Sequence, residues 1–317
     1  MKVLITGITG FAGSHLAEYL LSKININIYG TTFLDLEIKN INHIKENINL
    51  YETDIKDYKN IESIIAEVMP DRIFHLAGRT SVGDSFSSPQ ETLVTNITGQ
   101  LNIFEAVRKL KLNPCIHIAC SSDEYGFVYE NELPIKETNP FRPLSPYAVS
   151  KVTQDLLAWQ YFKNYGLNII ITRAFNHTGV RSSEAFVCSS FAKQIAMIEK
   201  QKQPPVIYTG NLDSIRDFSD VKDVARAYWL ALEKCRPGEA YNICSGKGYK
   251  IREILDILVS YATTKVEIKQ DPKRLRPSDT SVIVGDSTKF RKVTGWQPEI
   301  PLERTLEDLL DYWRQNV

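Results

Sequence analysis

The first half of the chain alternates short apolar runs with longer segments in which apolar residues recur every three or four positions. The short runs have the length and the β-branched composition of strands, and the periodic segments are typical of amphipathic helices. Alternating strands and helices predict an α/β fold with a doubly wound parallel sheet of the Rossmann type. The predicted strands are KVLIT (2–6), INIYG, INLYE, RIFHL (72–76) and CIHIAC (115–120), and the predicted helices are 11–22, IESIIAEVM and 91–110.

The alternation becomes less regular after about residue 177, where loops rich in Pro, Arg and Asp separate the predicted elements. VKDVARAYWLALEKC (221–235) is a strongly amphipathic helix, and EAYNICSG is expected to return the chain to the sheet. We therefore predict a dinucleotide-binding domain of residues 1–176 plus 221–244. Residues 177–220 plus 245–317 are predicted to form a smaller, discontinuous α/β lobe that binds the substrate.

The composition of the 317-residue chain, with 43% hydrophobic residues, is that of a globular protein with a sizeable core. Lys+Arg and Asp+Glu both number 38, so no overall field favours nucleic acid or an anionic membrane as partner. We expect no membrane span, because no apolar run approaches ~18 residues. Five cysteines without a C-x-x-C pair indicate free thiols in a reducing cytoplasm, and no metal site is predicted.

A glycine-rich turn, GITGFAG, follows the first strand and begins a helix. The spacing of Gly7, Gly10 and Gly13 lets the backbone turn tightly and approach a pyrophosphate at the helix N-terminus, where free N–H groups point outward. The alternative is a glycine-rich strand–helix turn without a ligand, but three correctly spaced glycines in a strand–turn–helix favour a dinucleotide site. We therefore predict a dinucleotide site that includes these glycines and Phe11.

The end of the second predicted strand decides which dinucleotide is accepted. An acidic residue there would bind the ribose of NADH and repel the phosphate of NADPH, whereas an arginine would favour NADPH. Thr31 and Thr32 are neither, and no arginine follows at Phe33. We therefore expect the chain to use NADPH or NADH, with Thr31 in the site and Asp35 or Lys39 able to shift the balance.

Two further segments are assigned to the cofactor. Asp54 follows the third strand and is expected to bind the adenine amino group, although it could instead be the N-cap of the next helix. Ile55 lies beside it in the sequence. Leu76, Ala77 and Gly78 follow the fourth strand, at the edge of the sheet where the cofactor is expected.

A tyrosine and a lysine four residues apart occur in PLSPYAVSK, at Tyr147 and Lys151. The same spacing at Tyr19/Lys23 and Tyr261/Lys265 makes a bare match weak evidence, since any such pair could be two neighbours on a solvated helix face. Context distinguishes the first pair. Ser145 is a good N-cap and Pro146 a good first helical residue, so Tyr147 is predicted to lie in the first turn of a helix that runs to about Tyr165.

The predicted chemistry of this pair is proton transfer. A carbonyl that accepts hydride needs a proton on its oxygen, and a phenol can supply it. A charge at ~4 Å in an effective dielectric near 20 is worth about 4 kcal/mol, so we expect Lys151 to bring the pKa of Tyr147 close to neutrality. Ser121, at the end of the strand CIHIAC, is placed to orient the same carbonyl.

Together these residues resemble the extended short-chain dehydrogenases/reductases, which act on nucleotide-linked sugars. Within that family the chain is similar to GDP-4-keto-6-deoxy-mannose reductases and, more distantly, to GDP-mannose 4,6-dehydratases, from Met1 to about Trp313. The motifs that carry the resemblance are ACSSDEYG, FRPLSPYAVSK, TRAFNHTG, FAKQIAMIE, GNLDSIRDFSDVKDVARAYW and RLRPSD.

The resemblance implies a catalytic triad of Ser121, Tyr147 and Lys151 and a homodimer built on paired long helices. It also implies that a GDP-linked sugar lies against the second lobe. Two arginines offer paired donors to a diphosphate, although a surface salt bridge would explain either one equally well. The implied substrate residues are Ser81, Asp123, Asn176, Arg216, Arg276 and Asp279, with Arg79 as a weaker candidate and Lys193 as a solvated helix residue.

One departure separates the chain from the dehydratases, which place a threonine and, two residues later, a glutamate where this chain has Ser121 and Asp123. The segment TTFLDLEIKN also lacks the arginines that those enzymes carry after the second strand. We therefore expect a reductase that forms a GDP-6-deoxyhexose, GDP-D-rhamnose or its 4-epimer GDP-6-deoxytalose. The alternatives are a GDP-mannose 4,6-dehydratase, a nucleotide-sugar 4-epimerase and a non-catalytic dinucleotide sensor.

Overall fold

The structure, a computed structural model, describes residues 1–33, 38–275 and 280–317. Its strands are β1 (Lys2–Thr6), β2 (Asn27–Thr32), β3 (Ile48–Glu52), β4 (Arg72–His75), β5 (Cys115–Ser121), β6 (Ile169–Ala174), β7 (Asn176–Thr178), β8 (Val206–Thr209), β9 (Ile215–Asp220), β10 (Ala240–Ile243), β11 (Gly248–Lys250), β12 (Glu267–Gln270) and β13 (Val282–Ile283). Its α-helices are α1 (Phe11–Leu21), α2 (Tyr58–Val68), α3 (Val82–Ser87), α4 (Pro89–Lys109), α5 (Pro146–Tyr165), α6 (Val187–Glu199), α7 (Val221–Lys234), α8 (Ile251–Ser260), α9 (Thr288–Thr294) and α10 (Leu302–Asn316).

The large sheet has the strand order β3-β2-β1-β4-β5-β6-β10, and every neighbouring pair is parallel. This is the doubly wound Rossmann order, in which the direction of winding reverses between β1 and β4. Because all strands are parallel, their carboxyl ends share one edge of the sheet. Ligands of such folds bind in the crevice outside that edge.

Helices cover both faces of the sheet. On one face, α1 and α7 pack together over a core that includes Leu16, Phe74 and Trp229. On the other face, α2, α4 and α5 bury a second core that includes Phe104 and Ile118. Each large apolar side chain removed from water contributes roughly 1.5–3 kcal/mol, so both layers hold the strands in register.

A smaller region surrounds a third core between α6, α8 and α10. It contains a mixed sheet in which β9 pairs with β7, β11 and β13, and a parallel pair formed by β8 and β12. Two elements that lie in the sequence between the two segments of this smaller region belong with the large sheet instead. They are α7, which packs on α1, and β10, which pairs with β6. We propose the same division of the chain as the sequence analysis, with residues 1–176 plus 221–244 in the first domain and 177–220 plus 245–317 in the second lobe.

The ends of α5 follow the predicted signals. The Ser145 side chain accepts a hydrogen bond from the N–H of Ala148, Pro146 is the first helical residue, and Gly166 ends the helix in the left-handed conformation at φ 70°. α2 begins at Tyr58, before the predicted segment IESIIAEVM, and its N-cap is Asp57 rather than Asp54, for which capping was the alternative role. Asp54 instead accepts a hydrogen bond from the N–H of Lys56 in the preceding turn.

All five cysteines are thiols; Cys120, Cys188 and Cys244 are buried, and Cys115 and Cys235 are partly buried. Among the described helices, none combines the length and the apolar character that crossing a bilayer requires.

Candidate active site

A cavity of about 790 Å³ lies at the carboxyl edge of the large sheet and extends to the second lobe. One end is formed by the glycine turn after β1, the middle by the ends of β4, β5 and β6, and the far end by β8, β9 and α6. Most of the predicted site residues line it: Gly7, Gly10, Phe11, Gly13, Leu76, Gly78, Ser81, Ser121, Asp123, Tyr147, Asn176 and Arg216.

Tyr147 and Lys151 lie one turn apart on α5, beside the end of β5. Tyr147 is 8% exposed, and its side chain interacts with that of Ser121, which also lines the cavity. Lys151 is buried below it, with its Nζ 5.9 Å from the centre of the tyrosine ring. The Lys151 ammonium donates a hydrogen bond of 2.8 Å to the carbonyl oxygen of Ala119 in β5.

The pKa of Tyr147 lies well above its ordinary value, which corrects the expectation that Lys151 would bring it close to neutrality. Burial is the largest cause, because it disfavours the phenolate, and the negative charge of Asp123 adds to it. The hydrogen bond with Ser121 acts in the opposite direction but does not outweigh burial. Burial also lowers the pKa of Lys151. Tyr147 is therefore a neutral phenol that holds a proton it can donate.

Ser121 is fixed by the turn that follows β5. Its hydroxyl oxygen accepts a hydrogen bond of 3.2 Å from the N–H of Asp123, and its own N–H donates one of 3.0 Å to the carboxyl group of Glu124. This reciprocal pair is a capping box on the short 3-10 turn Ser122–Glu124. The Ser-x-x-Glu pattern of Ser121 and Glu124 was a signal for this arrangement that the sequence analysis did not use.

The glycine turn leaves room for a ligand because its backbone segments approach one another closely. Gly7 has φ +70°, and a Cβ there would lie 2.9 Å from the Cα of Ala77. A Cβ on Gly13 would lie 2.3 Å from the carbonyl oxygen of Gly7. Gly10 is the N-cap of α1. Because glycine has no side chain, no side-chain hydrogen bond caps the N-terminus of the helix at this position. This cradle fits the pyrophosphate of a dinucleotide.

Thr31 was predicted to lie in the cofactor site, and its contact with a cofactor stays a prediction. Thr31 is buried, its hydroxyl accepts a hydrogen bond from the N–H of Gly7, and it does not line the cavity. Thr32 is also buried and lies 3.3 Å from the hydroxyl of Thr9. The two threonines thus hold the glycine turn against β2. Phe33 and Lys39 are exposed, and Asp35 lies outside the described residues.

Three other cofactor assignments do not line the cavity. Ile55 is buried, and its carbonyl oxygen accepts a hydrogen bond from Asn102 of α4. Ala77 packs against the glycine turn, and Asp54 forms a 3.4 Å ion pair with Lys56. Their binding roles stay predictions.

The neighbouring strands β7 and β9 bring Asn176, at the end of the first segment of the first domain, and Arg216 of the second lobe to the cavity. Ser81, the N-cap of α3, faces them from the first domain. Arg79 forms an ion pair of 2.9 Å with Glu91, and Lys193 pairs with Glu184 over the ring of Trp313 rather than being freely solvated. Arg276 and Asp279, the remaining predicted substrate residues, lie outside the described residues.

Several residues at the site were missed by the sequence analysis. Asn96 of α4 bonds both backbone groups of Arg79 and donates a hydrogen bond of 2.8 Å to the Ser150 hydroxyl. Ser150 in turn donates to the carbonyl oxygen of Tyr147, so α4 braces the start of α5. Arg274 lines the cavity and donates to the Ser190 hydroxyl of α6. An isolated polar residue in a helix gives no sequence signal of such long-range contacts.

Arg181, also missed, joins the second lobe to the cofactor side. Its guanidinium donates to both carboxylate oxygens of Glu18 at 2.6 and 2.7 Å, to His15 and to the carbonyl oxygen of Asn40. Burial disfavours the Glu18 carboxylate, but its interactions with His15 and Arg181 outweigh burial and hold the pKa of Glu18 well below its usual range. Nearby, the His177 ring stacks on Phe11 with 5.7 Å between centroids.

A Rossmann sheet with a glycine-rich first turn and a Ser/Tyr/Lys arrangement at its carboxyl edge defines the class of short-chain dehydrogenases/reductases. The chain belongs to the family described as GDP-mannose 4,6-dehydratase, whose profile matches residues 4–309. It is one of the extended members of the class.

Three relatives show how closely the chain follows this family. It is 33% identical to the GDP-6-deoxy-D-mannose reductase of Pseudomonas aeruginosa, covering 100% of this chain and 98% of the relative. It is 30% identical to the GDP-mannose 4,6-dehydratase of Yersinia enterocolitica, covering 98% and 92%. The solved structure of RMD from Pseudomonas aeruginosa complexed with NADPH has a TM-score of 0.87 at 32% identity, covering 100% of this chain and 99% of that one.

The role of Tyr147 can be tested by replacing it with phenylalanine, which keeps the buried ring and removes the proton donor. We expect kcat for carbonyl reduction to fall by at least ~10²-fold, the low end for a positioned general acid. Binding of the nicotinamide cofactor, measured by fluorescence titration, should change little. Tyr19→Phe, in the other tyrosine–lysine pair of the first domain, is the matched control. Turnover of the Tyr147 variant near that of wild type would contradict the assignment.

Proposed function

We propose that the chain is an NAD(P)H-dependent reductase of the 4-keto group of GDP-4-keto-6-deoxy-mannose, with GDP-D-rhamnose as product. The observation that carries the proposal is the buried, neutral Tyr147 beside Ser121 in a chain similar over its full length to a GDP-6-deoxy-D-mannose reductase. A protonated phenol is the form that a ketone reduction requires. An enzyme that begins by oxidising an alcohol requires a base instead.

The residues of the chain divide the work of the reduction. When bound, the reduced nicotinamide supplies the hydride that forms the new C–H bond at C4 of the sugar. Tyr147 donates its proton to the carbonyl oxygen, so the C=O bond becomes an alcohol and the tyrosine becomes a phenolate. Ser121 donates a hydrogen bond to the same oxygen. The Lys151 ammonium, 5.9 Å from the centre of the tyrosine ring, stabilises the phenolate until a proton from solvent restores it.

Asp123 argues against dehydration as the main activity. Removal of the C6 hydroxyl needs an acid and a base besides the tyrosine, and the dehydratases that the chain resembles supply a glutamate at this position. Asp123 lines the cavity, but its carboxyl group is one methylene shorter. A displacement of ~1 Å at a reacting group can cost about a hundredfold in rate.

The second lobe is proposed to bind the GDP moiety. Asn176 and Arg216 lie on the neighbouring strands β7 and β9 and both line the cavity. An arginine at this position offers charge-assisted hydrogen bonds to a diphosphate, which a chain without net charge must obtain locally. Arg276 and Asp279 are proposed to contribute further contacts to the phosphates and the ribose. Ser81 and Asp123 are proposed to contact the sugar.

The chain is proposed to accept NADPH or NADH. The residues assigned to the cofactor are Gly7, Gly10, Phe11, Gly13, Thr31, Asp54, Ile55, Leu76, Ala77 and Gly78, with Tyr147 and Lys151. Because positions 31 and 32 are threonines, a 2′-phosphate there would meet neither a carboxylate nor an arginine. The two threonine hydroxyls are already hydrogen-bonded within the protein.

A homodimer in the cytoplasm is proposed on two grounds. The long helices α4 and α5 pack side by side, and a stripe of exposed apolar side chains, Val149, Leu156 and Trp159, runs along α5 next to Val94 of α4. Burying this stripe against a second copy would remove it from water. The five thiols suit a reducing compartment. The mass of the chain in solution decides between monomer and dimer.

The substrate test separates reduction from dehydration. Purified protein with GDP-4-keto-6-deoxy-mannose should consume reduced cofactor one-for-one, with NMR identifying GDP-D-rhamnose as product. With GDP-mannose and NADP⁺ it should form no 4-keto sugar. Accumulation of the 4-keto sugar from GDP-mannose without net cofactor consumption would support the dehydratase instead. GDP-6-deoxytalose as product would correct the stereochemistry and leave the reductase assignment in place.

The two cofactors should differ only modestly. Because neither an acid nor an arginine stands at the end of β2, kcat/KM with NADPH and NADH should agree within about a hundredfold, or under ~3 kcal/mol of discrimination. Steady-state kinetics at saturating sugar substrate measures this ratio. A preference for one cofactor beyond about a thousandfold would show that the segment after β2 selects the cofactor and that the sequence analysis misjudged it.

Arg216→Ala should weaken GDP binding much more than cofactor binding. Losing a charge-assisted hydrogen bond costs roughly 1.5–3 kcal/mol, so Kd for GDP should rise about ten- to a hundredfold. Arg304→Ala is the matched control, because Arg304 belongs to the same lobe but pairs with Glu307 and Asp308 on the exposed face of α10. Equal GDP affinity of the two variants by calorimetry would remove Arg216 from the site.

A further inference from the structure

Glu124 lies behind the active site and is fully buried. It ends the 3-10 turn that begins after Ser121, and one of its carboxyl oxygens, Oε1, accepts the hydrogen bond from the Ser121 N–H at 3.0 Å. The position of the Ser121 backbone, and with it that of the hydroxyl in the cavity, therefore depends on this carboxyl group.

The other oxygen of Glu124 has no hydrogen-bond partner among the described residues. Its nearest cation is Arg173, whose Nε lies 3.5 Å away. That guanidinium already donates to both carboxylate oxygens of Asp155, at 2.8 and 3.2 Å. Its remaining terminal nitrogen donates to the Tyr125 hydroxyl and to the carbonyl oxygen of Glu137. Arg173 can thus compensate one buried carboxylate well, but not two.

The surroundings of Glu124 favour its neutral form. Burial is the largest cause of a rise in its pKa to about 8, and the charge of Asp155 adds to that rise. Arg173, the Ser121 N–H and the Cys120 thiol act against it. The distance between Glu124 and Arg173 would by itself suggest an ion pair. Because Arg173 is already held by two hydrogen bonds to Asp155, it stabilises an ionised Glu124 too little to offset burial, and the pKa of Glu124 is raised.

The groups that face Glu124 belong to three elements. Cys120 comes from β5, Lys151 and Asp155 from α5, and Arg173 from β6, while Tyr125 follows in the chain. An ionised Glu124 raises the pKa of both Tyr147 and Lys151, because it disfavours the phenolate and favours the ammonium. A phenol with a higher pKa is a weaker proton donor to a carbonyl oxygen.

We propose that Glu124 is a positioning residue that holds Ser121 in place as a neutral carboxylic acid, and that its ionisation in alkaline solution slows proton donation by Tyr147. The proposal rests on the proposed reductase function for its kinetic test. It also predicts an effect on folding that needs no substrate.

The kinetic test compares the pH dependence of kcat in wild type, Glu124→Gln, Glu124→Leu and the control Glu130→Gln. GDP-4-keto-6-deoxy-mannose and saturating NADPH are used from pH 6 to 10. Wild type and the Glu130 variant, whose side chain is exposed on the next turn, should lose kcat as the pH rises through about 8. Glutamine keeps the hydrogen-bond acceptor for Ser121 but cannot ionise, so this loss should be absent in Glu124→Gln.

Glu124→Leu removes the acceptor for Ser121, so kcat should fall by about tenfold or more at every pH while NADPH binding is retained. If the alkaline loss came from Lys151 instead, Glu124→Gln would keep it and move it to lower pH, because a negative neighbour no longer supports the ammonium. An unchanged or downward-shifted profile in Glu124→Gln would therefore overturn the proposal.

Thermal unfolding provides the test that does not depend on turnover. A carboxyl group whose pKa is raised by folding stabilises the protein fully below the unfolded pKa, and this contribution is lost as the pH rises to the folded pKa. The Tm of wild type should therefore fall more between pH 4.5 and 8 than that of Glu124→Gln. Equal pH dependence of Tm in the two proteins would overturn the proposal even if the substrate proves to be a different one.

Discussion

The Arg173 guanidinium is the interaction on which the geometry of the site depends. From β6 it holds Asp155 of α5 with two hydrogen bonds, Tyr125 after the 3-10 turn with a third, and the backbone of Glu137 with a fourth. These are the segments that carry Tyr147, Lys151 and Ser121. A buried ion pair adds little net stability, but loss of one partner strands a buried charge at a cost of roughly 3–5 kcal/mol. The pair therefore specifies one arrangement of these segments.

Burial sets the charges around the proposed catalytic groups, Ser121, Tyr147 and Lys151. His75, at the end of β4, accepts or donates one hydrogen bond with Thr6, and burial, aided by the charge of Lys151, lowers its pKa to about 3. His117 in β5 is lowered to about 3 for the same principal reason. Both imidazoles are neutral near pH 7, which leaves Lys151 as the cation beside Tyr147. The same exclusion of water keeps the phenol protonated, so one physical cause accounts for the acid and for its surroundings.

Local signals predicted much of this structure. The strand Lys2–Thr6 has the predicted bounds, and Ser145, Pro146 and Gly166 define the two ends of α5. Context also separated Tyr147/Lys151 from Tyr19/Lys23, where the lysine lies over the tyrosine ring at 4.7 Å, outside the cavity at the end of α1. What these cases share is that the informative residues are neighbours in the sequence. The short elements α3 and β13 were not predicted, because too few residues define their period.

Long-range contacts account for what the sequence did not reveal. Arg173 reads as one polar residue in an apolar strand, and Asn96 as one amide in a long helix. Thr31 was assigned to the cofactor, and its hydroxyl also accepts a hydrogen bond from the N–H of Gly7, a contact that the sequence did not indicate. The pKa of Tyr147 was predicted in the wrong direction because an estimate from one charge omits burial, which here is the larger effect.

The proton carried by Tyr147 has a consequence for the medium as well as for the enzyme. Reduction of a ketone by hydride consumes one proton overall whichever group delivers it, and Tyr147 is proposed to pass that proton from the surrounding water to the carbonyl oxygen. At a fixed ratio of oxidised to reduced cofactor, the equilibrium ratio of alcohol to ketone therefore falls about tenfold for each unit by which the pH rises. The proton of the medium is thus a co-substrate of the reduction, and alkaline conditions shift the equilibrium toward oxidation of the alcohol.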